Sequence, residues 1–224
     1  MFQIKICGIT SVDDARMAAD AGADAVGLNF YNGSPRYLSD AAAETVAAAV
    51  PAGVARVGVF VNPDVDNVRQ LFERLRLDYV QLHGDETLKV LANLADLPVI
   101  RAFRVARDLA SIVEFLSRCR EARCLPRGVL MDANVPGKYG GSGMVADWET
   151  AASYALNEAN PPLILAGGLT PANVAAAIGA VRPMAVDVAS GVERSAGPKD
   201  ERLVREFVTA AREAFASLDQ YGDE

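Results

Sequence analysis

With one histidine, one tryptophan and three cysteines in 224 residues, the chain has little material for the sites that depend on them. His83 stands alone, and Cys119 and Cys124 lie five apart in the charged segment CREARC, so no cluster has zinc-ligand spacing and no metal site is expected. An odd cysteine count leaves at least one thiol unpaired and suits a reducing compartment better than a disulfide framework. Basic charge is also scarce. Lys and Arg number 22 against 29 Asp and Glu, a net charge of -7, which provides no broad cationic surface for nucleic acid or an anionic membrane. No apolar run approaches the roughly 18 to 20 residues of a spanning helix. The opening MFQIKICGIT is not a basic segment followed by an apolar one. These absences lead to the expectation of a soluble cytoplasmic protein, with neither nucleic acid nor membrane as partner.

What the chain does have is apolar content, 51% of its residues, arranged with a regular beat. Short β-branched runs recur at 2–6, 25–30, 55–60, 79–82, 98–103, 128–131, 163–166 and 184–188. Segments of helical spacing fall between and after them, at 11–20, 39–49, 64–76, 85–94, 107–120, 147–156, 171–179 and 199–217. Ser11, Ser39 and Thr170 each stand where a capping oxygen would open a helix. Strands that alternate with single helices pair in parallel, and eight such units close a barrel that leaves no strand edge free. The class predicted is α/β, a single (β/α)8 TIM barrel forming one domain over 1–224. An open doubly wound sheet is the competitor, disfavoured because no GxGxxG follows the first strand.

Barrel chemistry sits at the C-terminal ends of the strands, which directs attention to a short set of polar residues. Glycines follow strand seven (Gly167, Gly168) and strand eight (Ser190, Gly191), where bare backbone lets N–H groups approach an anion. A phosphate cradle and tight turns both fit that pattern. Cys7 ends strand one and reads either as a small buried hydrophobe or as a base facing Asp132, which ends strand six and reads as a loop cap or an acid. A thiol base needs a modest downward shift from about 8.5, or works through a minor thiolate fraction, and a cationic or dipolar neighbour is expected. Arg36 can grip a planar carboxylate or serve as a surface cation. His83 is as readily a packing residue as a functional one. Lys5 and Asp187 alternate with apolar neighbours, so both should point into the barrel or its rim, as an ion pair.

Taken in order, KICGIT (5–10), GADAVGLNF (22–30), SPRY (34–37), GVFVN (58–62), VQLHG (80–84), YGGSG (139–143), LAGGLTPANV (165–174) and DVASGVE (187–193) followed by GPKD resemble the phosphoribosylanthranilate isomerase family of tryptophan biosynthesis. The resemblance implies an Amadori rearrangement of a small phosphorylated substrate, N-(5-phosphoribosyl)anthranilate, without metal or organic cofactor. It implies Cys7 as the base at the sugar C2 proton, Asp132 as the acid at the ring oxygen and Arg36 at the anthranilate carboxylate. Gly168, Ser190 and Gly191, with Gly141 of the sixth loop, would hold phosphate; Asp187 would lie near the sugar hydroxyls. His83 and Gly167 complete the expected substrate contacts. Asn32-Gly33 stands where proline often follows the tyrosine, and Met144 and Ala146 where basic and aromatic residues are common. These departures bear on closure of a lid over 137–143 more than on the acid or base. A monomer or a homodimer is expected.

Two other readings compete. The related Amadori isomerase of histidine biosynthesis resembles this pattern with carboxylates at both catalytic positions and two phosphate sites, and Cys7 argues against it. A catalytically silent phosphosugar-binding barrel would be signalled by a lost acid or base, and both are present.

Overall fold

Side chains alternate across each short strand, and that alternation decides what reaches the centre of the molecule. The computed structural model describes residues 1–105, 109–133 and 147–220. Its strands are β1 (Ile4–Cys7), β2 (Ala25–Asn29), β3 (Ala55–Phe60), β4 (Tyr79–Leu82), β5 (Val99–Val105), β6 (Gly128–Ala133), β7 (Leu163–Leu165) and β8 (Ala185–Val188). All neighbours pair in parallel, and β8 returns to β1 with Lys5 level with Asp187, closing the barrel. The helices are α1 (Val12–Asp20), α2 (Asp40–Ala49), α3 (Val65–Leu75), α4 (Leu88–Asn93), α5 (Ala110–Glu121), α6 (Trp148–Ala155), α7 (Val174–Val181) and α8 (Glu201–Gln220). The predicted (β/α)8 barrel is the fold observed. Among the described residues, no helix is long and apolar enough to cross a membrane.

The core has two shells. Ile4, Ile6, Val26, Leu28, Val80 and Leu82 belong to the outer shell between strands and helices. Ala25, Val57, Ile100, Leu130, Ile164 and Ala185 fill the barrel interior. Each fully buried aliphatic side chain contributes about 1.5–3 kcal/mol relative to exposure, so the two shells together dominate stability. Because Ile4 and Ile6 face outward, Lys5 and Cys7 face inward; the same alternation turns Gln81, Asp132 and Asp187 inward.

Helix starts follow local chemistry. Ser11 Oγ accepts from the Asp14 N–H and Ser39 Oγ from the Ala42 N–H, as expected. Such caps contribute about 1 kcal/mol each. Thr170 does not cap a helix beginning at Pro171. Its N–H donates to Asn173 Oδ1 at 2.8 Å while Asn173 Nδ2 donates to the Gly168 carbonyl. This side-chain turn holds 168–173 as a loop and delays α7 to Val174. The fourth helix likewise starts at Leu88 rather than 85, because buried Glu86 accepts from the Gly84 and Asn62 N–H groups and pairs with Arg101 at 3.0 Å.

Candidate active site

Seven residues singled out from the sequence meet at the C-terminal mouth. His83, Asp132, Gly167, Gly168, Asp187, Ser190 and Gly191 line one cavity of about 50 Å³. That is room for one or two waters, so a phosphosugar would lie across the mouth and reach into it. Larger clefts of about 470 and 830 Å³ open at the opposite, N-terminal ends of the strands. Size does not locate the site here, since strand-end chemistry in this fold belongs to the C-terminal face. Among the described residues no group of three His, Cys, Asp or Glu side chains could hold a metal ion.

Two buried cations, Lys5 and Lys199, stand near Cys7. Lys5 is fully buried, its Nζ 2.7 Å from Asp187 Oδ1 and beside the Cys7 thiol. Burial opposes the Lys5 charge, but Asp187 and Cys7 outweigh it and hold its pKa above the ordinary value. Burial and the Asp187 charge push the Cys7 thiol up, against the opposing pull of Lys5 and Lys199. The expected cationic neighbour is therefore present, but the modest downward shift is not: the low-dielectric barrel end outweighs the cations, leaving the minor-thiolate route. The Cys7 side chain takes its place because β2 has glycine opposite; a Cβ on Gly27 would stand 2.7 Å from Cys7 Sγ. Cys119 and Cys124 lie in the outer shell, where burial and the neighbouring Cys124 push the Cys119 thiol up to about 12, so it stays neutral.

Buried Asp132 of β6 meets His83, with His83 Nε2 3.2 Å from Asp132 Oδ2. The other ring nitrogen, Nδ1, lies 2.8 Å from Gln81 Nε2. His83, which the sequence leaves open between packing and function, thus lines the cavity in contact with the proposed acid.

Arg36 lies across Gly8, whose missing Cβ would sit 2.3 Å from Arg36 Cδ, and so runs next to Cys7. Its Nε and Nη2 donate to the two oxygens of Glu193 at 2.6 and 2.7 Å. Fully buried Lys199 donates to Glu193 Oε1 at 2.7 Å. Burial raises the carboxyl's pKa, but Arg36 and Lys199 outweigh it and hold Glu193 below the usual carboxylate range; the Lys199 ammonium is lowered by burial. Arg36 is therefore a clamped residue, neither a loose surface cation nor a guanidinium with both edges open. Glu193, Lys199 and Gln81 received no role from sequence. The only signal lay in GVE and GPKD, where Glu193 and Lys199 follow glycine-containing turns six residues apart.

Gly167 and Gly168 have φ of +86° and +65°, which side-chain-free residues adopt without strain. Gly191 has a packing reason as well: a Cβ there would lie 1.9 Å from the Leu169 carbonyl oxygen, where the eighth loop crosses the seventh. Ser190 opens a 3-10 turn over Ser190–Val192. Gly141, Met144, Ala146 and the expected lid over 137–143 lie outside the described residues.

Fold and site together define a (β/α)8-barrel enzyme with acid–base side chains at its C-terminal mouth. The profile of the family described as N-(5'phosphoribosyl)anthranilate (PRA) isomerase matches residues 4–210. The N-(5'-phosphoribosyl)anthranilate isomerase of Geotalea uraniireducens is 45% identical over 212 residues, covering 95% of this chain and 99% of its own. The crystal structure of phosphoribosyl anthranilate isomerase from Thermotoga maritima superposes with a TM-score of 0.82 at 36% identity, covering 95% of this chain and 100% of that one. A phosphoribosyl anthranilate isomerase in complex with reduced 1-(o-carboxyphenylamino)-1-deoxyribulose 5-phosphate superposes at 0.79, also at 36% identity and with the same coverage. The chain belongs to the N-(5'-phosphoribosyl)anthranilate isomerase family.

Proposed function

We propose that this chain catalyses the Amadori rearrangement of N-(5-phosphoribosyl)anthranilate to 1-(2-carboxyphenylamino)-1-deoxyribulose 5-phosphate in tryptophan biosynthesis, as a single barrel domain acting in the cytoplasm. The observation that carries the assignment of roles is a juxtaposition: Cys7 from β1, backed by Lys5, and Asp132 from β6, backed by His83, project into the same end of the barrel.

In this reading the Asp132 carboxyl gives its proton to the furanose ring oxygen as the C1–O bond breaks, and the anthranilate nitrogen lone pair forms the C1=N bond. The Cys7 thiolate then takes the C2 proton, and that bond's electrons neutralise the iminium to an enolamine. Loss of the enol O–H proton and gain of one at C1 give the ketone and return both side chains to their starting states. Asp187, in the same cavity, faces the sugar hydroxyls. Gly167, Gly168, Ser190 and Gly191 carry the backbone N–H groups for the phosphate, with Gly141 assigned to it from the sequence. Arg36 meets the substrate carboxylate with Nη1 and the open side of Nη2, since Glu193 holds its other edge. The relative crystallised with a reduced carboxyphenylamino-deoxyribulose phosphate supports this choice of ligand.

The test is turnover of freshly prepared phosphoribosylanthranilate, followed by anthranilate-derived fluorescence, with Cys7→Ser and Asp132→Asn alongside. Both variants should lose at least roughly 100-fold in rate, the low end for a positioned acid or base. A folded wild type that is inert, or variants that retain full rate, would refute the assignment.

A further inference from the structure

We propose that His83 is a positioning residue that shares one proton with Asp132, its ring held in register by Gln81, and so supplies the acid form of Asp132; this rests on the isomerase reading above. The ring makes two side-chain contacts. Nε2 lies 3.2 Å from Asp132 Oδ2 and Nδ1 lies 2.8 Å from Gln81 Nε2. An amide N–H pointing at Nδ1 makes that nitrogen the acceptor, which leaves the proton of a neutral ring on Nε2, donated to an ionised Asp132. In that arrangement Asp132 has no proton to give from Oδ2.

The general acid needs one more proton, and the Oδ2–Nε2 contact provides two ways to hold it. Either the carboxyl takes it and donates O–H to Nε2 while the ring proton moves to Nδ1, or the ring takes it and donates from both nitrogens to an anionic Asp132. Each requires Nδ1 to become a donor and Gln81 to present its carbonyl oxygen. The amide is able to turn. Gln81 Oε1 is buried and has no hydrogen-bond partner among the described residues, so only the imidazole decides which end of the amide faces it. A Gln81 chosen merely to pack would leave this orphaned oxygen without reason, since an unsatisfied buried acceptor destabilises a fold.

The backbone keeps the ring in place through these changes. Arg101 of β5 donates to the Leu82 and Gly84 carbonyls on either side of His83, and the His83 N–H donates to the Phe60 carbonyl at 2.8 Å. Among the described residues, the charged groups nearest the pair stand in ion pairs of their own. Asp187 of β8 lines the same cavity and is matched by Lys5. Arg101 is matched by Glu86, and Arg104 is ion-paired with Asp85. The proton that leaves Asp132 for the ring oxygen comes from the pair, and the pair regains it from the enol O–H in the step that closes the cycle.

His83 is the chain's only histidine, so its ring gives a single pair of nitrogen signals. With 15N-histidine labelling, the wild type should show the Nε2–H tautomer at high pH and take up one proton on lowering the pH. In Asp132→Asn, whose neutral side chain cannot share it, the midpoint should move down by at least about one pH unit. Gln81→Glu, which accepts from Nδ1–H in either protonated form, should move it up by a similar amount. In turnover, His83→Gln should lower kcat roughly 10-fold or more with KM within threefold, and should remove the ionisation from the acid limb of the pH–rate profile. A purely structural histidine would leave that limb where it is. The proposal is overturned if the His83 midpoint is the same in the wild type, Asp132→Asn and Gln81→Glu, or if His83→Gln keeps the wild-type acid limb. The titrations need no substrate, so an inert wild type would count against the isomerase reading alone, and proton sharing would still be decided by the nitrogen signals.

Discussion

Replacing Lys5 by Met removes one partner of a deeply buried charge pair in the barrel. Lys5 is fully buried and Asp187 is 7% exposed, with 2.7 Å between Nζ and Oδ1. An uncompensated carboxylate left there should cost about 3–5 kcal/mol, the range for breaking such pairs by removing one member. For a chain of this size, about 2–4 °C per kcal/mol, Tm should fall by about 6–20 °C. The loss has a sign in pH. Without Lys5, burial raises the Asp187 pKa in the fold above its unfolded value, so stability is present below the unfolded pKa and is lost as pH rises through the folded one. The Tm gap between Lys5→Met and wild type should therefore be wider at pH 8 than at pH 5, as measured by calorimetry. Adding Asp187→Leu should recover most of the stability while leaving the enzyme inactive. Lys5 also pulls the Cys7 thiol down. Its removal should carry the basic limb of kcat/KM to higher pH, and wherever the thiol is mostly protonated, moving that limb up by about one pH unit cuts the thiolate fraction about tenfold. A Tm loss equivalent to less than about 1 kcal/mol, or a gap that is constant with pH, would refute this reasoning.

Three further outcomes follow from the same geometry. Glu193→Gln weakens the two-point hold on Arg36 and should raise KM about tenfold with kcat little changed in steady-state assays; an unchanged KM would show that the clamp does not orient the guanidinium. Cys7 and Lys5 both have raised pKa values in the fold, so their contributions are present at neutral pH and are lost as pH rises, beginning above about 8.5 for the thiol. The alkaline decline in Tm should start later in Cys7→Ser than in wild type. Gly191→Ala places a Cβ 1.9 Å from the Leu169 carbonyl oxygen, and should cost more than about 1–3 kcal/mol by urea unfolding because backbone on both sides has to move.

Period-two and helical patterns act over a few residues, which is why all eight strands and the inward direction of Lys5, Cys7, Asp132 and Asp187 could be read from the chain. Helix ends depended on side chains reaching back to backbone. Ser11 and Ser39 follow the local rule, whereas Thr170 does not, since Asn173 three residues on offers its N–H a better acceptor. The Glu86 side chain delays α4 for a related reason, but its partners Asn62 and Arg101 come from other strands and their loops, and no local window contains them.

The least legible feature was the clamp on Arg36, whose charges sit on separate loops. Arg36 and Glu193 are 157 residues apart, and nothing in SPRY or GVE names the other as partner. The consequence for chemistry is direct. Read alone, a cysteine at a strand end invites an activated thiol, yet its ionisation is settled by burial, by Asp187 against it and by Lys5 and Lys199 for it. Both lysines are already matched by carboxylates, so neither is free to depress the thiol as an unpaired cation would. A thiol held in this way stays mostly protonated at neutral pH, which slows its oxidation and alkylation. Cys7 is therefore expected to resist alkylation by iodoacetamide at about pH 7.5 in the free enzyme and to react measurably faster as pH rises above about 9, with the protein still folded by circular dichroism. Rapid modification near neutral pH would mean that the cations prevail over burial, and the order of contributions assigned to this thiol would have to be reversed.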